Sequence, residues 1–153
     1  MTEASKQLPS DIPALLVPMH GRPWLIPNVN VAEIIPLQQP QKVEQGPEWL
    51  LGWINWRDMT LPLVSTEKMN DSGQAVISAE ARIAVINTVS GRVRFYAVLI
   101  QGIPRLARVG RDDIIEEPVE TGPAESMYVQ LGGDLAVIPD FDAIERAVSG
   151  VIQ

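Results

Sequence analysis

The side chains able to do chemistry are few and poorly spaced for it. His20 is the single histidine of the 153 residues, and there is no cysteine. Disulfides, thiolate nucleophiles and Cys-based zinc or iron–sulfur sites are therefore excluded together. A zinc site would have to be completed by carboxylates, and a catalytic dyad would need an activated serine for which no sequence cue exists. His20 lies in His20-Gly21-Arg22-Pro23, where Gly and Pro mark a tight turn, so it reads as a surface residue. The second chemical cluster is Asp112, Asp113, Glu116, Glu117 and Glu120. Its oxygens suit Ca²⁺ or Mg²⁺, but the alternating spacing and glycine of an EF-hand loop are missing. Paired carboxylates also do acid and base work when burial separates their pKa values, and nothing in this stretch indicates burial. It reads as a solvated acidic loop. Phosphate-cradling loops, dinucleotide fingerprints and nucleophile elbows are absent from the sequence. The residues thus imply no enzyme, no cofactor and no metal site.

What remains is adhesive rather than catalytic. Trp49, Trp53 and Trp56, three of the four tryptophans, lie within eight residues and end on Arg57. Such rings fill the core of a small barrel, or, with arginine beside them, form the centre of a protein interface. The net charge of −7 argues against nucleic acid, since phosphate binding depends on clustered Lys and Arg. That charge is uneven: residues 111–153 hold ten acidic and two basic side chains, residues 61–110 three acidic and six basic. The pattern reads as solvated surface, or as a dipole that orients a protein partner during encounter.

The elements that must position these residues are strands. Valine and isoleucine number 31 against 13 leucines, and thirteen prolines interrupt the chain often. Residues 1–11 read as a loose tail and 12–153 as one domain. Leu15 to Met19 and Trp24 to Ile26 form a hairpin, Val29 to Ile35 a strand, and Pro36 to Pro47 a polar connection, with Pro47 opening a short helical turn. The tryptophan spacing fits a helix, but Gly52, Asn55 and the short length favour strands over Gly52 to Arg57 and Thr60 to Val64. Residues 65–80 read as an exposed, mobile loop between two halves. Arg82 to Val89, a two-residue Ser90-Gly91 turn and Arg92 to Ile100 make a long hairpin, and Ile103 to Val109 a further strand. Met127 to Leu131, Gly132-Gly133 and Leu135 to Ile138 close a last hairpin, and Asp140 caps a helix whose Phe141, Ile144 and Val148 share one face, with Gly150 near its end. Nine or ten short strands imply all-β sandwich or barrel closure, with residues 14–64 and 82–139 as two small barrels. The N-terminus carries Glu3 and Asp11 without an apolar signal region, and no apolar run approaches the ~20 residues that span a bilayer. A cytoplasmic protein with no membrane insertion is expected.

Gly52, Asn55, Arg57 and Asp58 followed by Leu61-Pro62-Leu63-Val64 resemble the Gly-x-x-Asn-x-Arg-Gly turn and apolar stretch of the CheW-like domain of bacterial chemosensory adaptors. Val31-Ala32-Glu33-Ile34 is similar to that family's Val-x-Glu-Ile strand end, Phe95 to Ile103 to its long strand and turn, Leu131 to Ile138 to its final hairpin, and Asp140 to Val148 to its closing helix. The resemblance covers about residues 14–150. It implies two five-stranded SH3-like β-barrels packed on a shared core, with a short C-terminal helix. It also implies a non-catalytic adaptor joining the cytoplasmic tip of methyl-accepting chemoreceptors to the regulatory domain of a CheA-type histidine kinase, with no cofactor. Val31, Glu33, Gly52, Asn55 and Arg57 would then lie at or beneath the receptor-facing region, with Glu33 and Arg57 as an ion pair and Asp58 as a second acceptor for Arg57. Asp58 stands where the family usually has Gly, Gln101 where it has Asp, Ser65-Thr66 where it has Asp-Leu, and Arg105 where an acidic residue is common. These departures suggest a specialised array, such as one controlling type IV pili and twitching motility. Two alternatives from other classes are a stand-alone small-ligand-binding barrel and an enzyme using Asp112 and Asp113.

Overall fold

Ile83 to Ile86 and Tyr96 to Ile100 are apolar at consecutive positions, and a strand with that pattern needs cover on both faces. The computed structural model, which describes residues 11–70 and 77–152 without the side chains of Asp11 and Arg111, shows how that cover arises. Eleven strands are described: β1 (Asp11–Val17), β2 (Trp24–Pro27), β3 (Val31–Pro36), β4 (Leu50–Trp56), β5 (Met59–Val64), β6 (Arg82–Asn87), β7 (Phe95–Ile100), β8 (Arg105–Gly110), β9 (Ile115–Glu117), β10 (Glu125–Leu131) and β11 (Asp134–Pro139). Two helices accompany them, α1 (Thr66–Asn70) and α2 (Phe141–Ile152). The first sheet runs β8-β1-β2-β11-β10-β9 and the second β3-β6-β7-β5-β4.

Side chains alternate between two cores. Ile83, Val85, Ala97 and Leu99 point into the second sheet's own core with Ile54, Trp56 and Leu61. Ala84, Ile86, Tyr96, Val98 and Ile100 point the other way, to meet Val17, Trp24 and Ile26 of the first sheet and Ile144 and Val148 of α2. A third cluster, including Ala14, Leu25 and Val109, fills the first sheet. This is the mostly-β, two-barrel architecture with a short C-terminal helix that the sequence implies, although the first sheet holds six strands rather than five.

The division into halves 14–64 and 82–139 is corrected. β1 and β2 join β8 to β11, through β1–β8 and β2–β11 pairings, while β3 to β7 form the second sheet. Local turn signals specify hairpins, and say nothing of which hairpins pair across a hundred residues. The exposed loop expected at 65–80 is corrected at its start and holds at its end: Ser65 and Thr66 are fully buried, and Ser65 Oγ accepts the Lys68 amide at 3.1 Å to cap α1, whereas residues 77–80 are mostly exposed and lie outside helix and strand. Five helical residues are too few to show a period. Positions 71–76 of that segment lie outside the described residues, as do residues 1–10 of the expected tail, and Asp11 opens β1.

Smaller differences follow from local bonding. Asn28–Asn30 is a 3₁₀ turn, so the strand expected from Val29 begins at Val31. The turn at Pro47 exists, closed by the Leu50 amide on the Pro47 carbonyl at 3.1 Å. The hairpin over 82–100 has its last pair at Asn87–Phe95, so a seven-residue connection, 88–94, replaces the two-residue Ser90-Gly91 turn. Helix α2 is capped by Asp140, whose Oδ1 accepts the Ala143 amide at 3.0 Å, and continues through Gly150.

Candidate functional site

The β4–β5 hairpin places Arg57 and Asp58 between the paired residues Trp56 and Met59. Both have positive φ, 47° and 63°, the geometry of a two-residue type I′ turn that usually takes Asn-Gly or Asp-Gly. An L-residue there costs ~1–2 kcal/mol, less for Asp. Asp58 thus holds at φ 63° a backbone conformation that glycine adopts without steric cost. Arg57 is held by contacts: its guanidinium lies 4.8 Å from the Trp56 ring centroid, and Nη2 donates to Glu33 Oε1 at 3.1 Å. Trp56 Nε1 donates to the same oxygen at 2.9 Å. The β3 bulge between Val31 and Glu33 brings that carboxylate across, and Trp56 is buried edge-on to Phe95 with centroids 4.9 Å apart.

The pair expected between Glu33 and Arg57 is therefore present, with side chains 41% and 68% exposed. The second partner of Arg57 is the indole of Trp56 and not Asp58. Asn55 is exposed beside the node; its carbonyl accepts from Gln38 Nε2 at 3.1 Å. Val31 is half-buried against the shared core. Gly52 is buried at the β4 bulge with φ 146°, where a Cβ would stand 2.5 Å from the Gln41 carbonyl oxygen, so the position requires glycine. Trp24 and Trp56 are core residues, whereas Trp49 and Trp53 are partly buried.

The profile of the CheW-like domain matches residues 13–148. The chain belongs to the CheW-like domain family. The crystal structure of the scaffolding protein TtCheW from Thermoanaerobacter tengcongensis has the same fold, with a TM-score of 0.73 at 15% identity over 87% of this chain and 86% of that one. No curated protein matches the sequence significantly.

Against the CheW-like pattern, Gln101 is a built-in feature. Its Oε1 accepts the Ser78 amide and its Nε2 donates to Glu67 Oε1, each at 2.9 Å. Glu67 Oε2 also accepts the His20 amide. An Asp at 101 could not donate to Glu67 as the amide does. The exposed His20 serves this brace through its backbone. The acidic stretch is dispersed: Asp113 caps the Gly110 amide at 2.7 Å, and Glu116 and Glu117 lie on β9 against β10. Among the described residues, no three His, Asp or Glu side chains are grouped to hold a metal ion, and no helix is long and apolar enough to cross a membrane. A cleft of about 220 Å³ opens among Ile12, Ala14, Leu25, Val109, Ile114 and Ile138. It is smaller than the ~300–1,000 Å³ of small-molecule sites, and its walls carry none of the convergent polar groups that orient a ligand.

One buried polar centre escaped the sequence reading. Glu145 of α2 is fully buried. Its carboxylate accepts from Thr88 Oγ1 at 3.0 Å, the amides of Val89 and Ser90 at 2.9 and 2.6 Å, and Tyr96 Oη at 2.9 Å. Burial pushes its pKa up, but the bonds from Ser90, Val89 and Tyr96 outweigh it and hold the carboxyl below its ordinary value. Burial, reinforced by the Glu145 charge and hydrogen bond, drives the Tyr96 hydroxyl far above its own. These bonds satisfy the Val89 and Ser90 amides within the 88–94 connection. Glu145 sits at i+4 from Phe141 and i−3 from Val148, on the apolar stripe of α2. An acid on that stripe was the available signal.

Proposed function

We propose that this CheW-like chain is a non-catalytic chemotaxis adaptor in the cytoplasm, coupling the cytoplasmic tip of a methyl-accepting chemoreceptor to the regulatory domain of a CheA-type histidine kinase. The family supports the kind of partner. The observation that carries the reading to a surface is the Glu33–Trp56–Arg57 node: an arginine 68% exposed, braced on a buried indole and by a half-exposed carboxylate. Arginine and tryptophan in a pre-ordered arrangement are what interface centres use. Asn55 extends the contact surface, while Val31 and Gly52 shape it from beneath. The departures at Asp58, Gln101 and Arg105 support service in a specialised array, of the kind that controls type IV pili and twitching motility. The test is calorimetric titration of the purified chain with the regulatory domain of a CheA-type kinase and with a receptor-tip fragment from the same cell. Saturable binding of the kinase domain supports the reading, and binding of neither protein overturns it.

A further inference from the structure

Each barrel carries a helix that is fastened on the other. Helix α1 follows β5 of the second sheet, yet two of its side chains take up backbone amides of the first barrel. Glu67 Oε2 accepts the His20 amide in the β1–β2 turn, and Asn70 Oδ1 accepts the Ala124 amide just ahead of β10 at 2.7 Å. Met69, between them, packs on the shared core. Gly122 fits this contact closely, since a Cβ there would stand 2.8 Å from Asn70 Oδ1. Gln101 completes the fastening: its backbone amide donates to the Pro18 carbonyl at 2.9 Å, and its side chain joins Glu67 to Ser78. Helix α2 does the reverse. It follows β11 of the first sheet and sends Glu145 to the Thr88 hydroxyl, the Val89 and Ser90 amides and the Tyr96 hydroxyl of the second barrel.

We propose that α1 is the releasable fastener of this pair: when Glu67 and Asn70 let go, the first barrel turns against the second, with α2 still held by Glu145 as the pivot. The two fastenings differ in what water can reach. Glu145 is fully buried, whereas His20 is exposed and Glu67 and Asn70 are only partly buried. A bond within reach of water loses little on opening, because water replaces the partner, while each broken Glu145 bond leaves a buried polar group unsatisfied. The order of release follows from that difference. Between the helices the barrels meet through Val17, Trp24 and Ile26 against Ala84, Val98 and Ile100. Such apolar burial is non-directional, and packed elements shift past one another by small sliding movements. The inference stands apart from the adaptor reading. Any ligand that touches both barrels biases the angle by its differential affinity for the fastened and released forms.

The test measures residual dipolar couplings of backbone amides, which report the orientation of each barrel, together with amide exchange. Wild type is compared with the double variant Glu67→Ala/Asn70→Ala. One alignment tensor should fit both barrels of the wild type. The double variant should need two, with α2 following the second barrel. Exchange at His20 and Ala124 should quicken by about tenfold or more, while Val98, Val89 and Ser90 keep their wild-type protection. Two tensors in the wild type, one tensor in the variant, or quicker exchange at Val89 and Ser90 than at His20 and Ala124 overturns the proposal. Loss of protection at Val98 means that α1 holds the fold and not the angle, and overturns it too. A swap checks the fastening without deleting a side chain. Gln101→Glu sets two carboxylates together and should speed exchange at His20 and Ser78. Adding Glu67→Gln restores a donor to an acceptor and should return both rates to those of the wild type. Rates that Gln101→Glu leaves unchanged, or that the swap fails to restore, overturn the role given to α1.

Discussion

Two glutamates in this chain each accept a hydrogen bond from a buried aromatic residue, yet they do opposite work. Glu33 takes the Trp56 indole N–H and the Arg57 guanidinium on one oxygen at a half-exposed hairpin end. Glu145 takes the Tyr96 hydroxyl, a threonine hydroxyl and two backbone amides with no exposed surface. In the first, water competes for the exposed Arg57–Glu33 bond, so that ion pair adds ~1 kcal/mol at most to stability and the Arg57 guanidinium stays open to solvent. In the second, the alternative to each bond is an unsatisfied buried group, so the network is committed to the fold. The same residue type is left open to solvent or sealed into the fold according to what surrounds it.

The sharpest way to break that contrast is Glu145→Ala, which strands several donors at once and should cost about 3 kcal/mol or more in urea unfolding. A loss below ~1 kcal/mol would mean that the 88–94 connection finds other partners. Acid should reveal the same centre more gradually. A carboxyl whose folded pKa lies below its ordinary value of 4.5 gives stability that is present above that pH and lost as pH falls through the folded value. The wild type should therefore lose stability below about pH 4.5 more steeply than Glu145→Gln, as read from midpoints at successive pH values. Tyr96→Phe removes one donor and should cost about 1–2 kcal/mol. Because the folded Tyr96 pKa is raised, its contribution is full below the ordinary value of 10 and lost only at higher pH, and the phenylalanine variant should lack that alkaline limb. The smallest effect belongs to the exposed region: Asp58→Gly relieves a left-handed φ of 63° and should raise stability by up to ~1 kcal/mol.

Legibility in the sequence followed the range of the forces involved. Hairpins announced by Gly132-Gly133 or by the break between Gly52–Arg57 and Thr60–Val64 were readable because a few adjacent residues decide them, although the second turn falls one residue earlier, at Arg57-Asp58. The Asp140 cap and the apolar stripe of α2 were readable for the same reason. The Glu33–Arg57 pair emerged from family spacing, and the indole beneath it from neither. What stayed hidden depends on distant pairings: β1 and β2 joining strands some hundred residues later, Gln101 bracing α1 through Glu67, and Glu145 reaching the Thr88 hydroxyl and the Val89 and Ser90 amides. No local pattern encodes which of several compatible hairpins will meet. The acid at position 145 was the exception, since a charge on a buried stripe demands a partner.

That the exposed Glu33–Trp56–Arg57 node is a contact and not a prop, as proposed above, is tested most directly by Arg57→Ala when urea unfolding and affinity for the kinase regulatory domain or receptor tip are measured on the same protein. The expected outcome is a stability change below ~1 kcal/mol, as for an exposed ion pair, together with a loss of ~2 kcal/mol or more in binding, as for an arginine at an interface centre. An Arg57→Ala protein that binds at wild-type affinity, or one that loses binding only in proportion to lost folding, would contradict it.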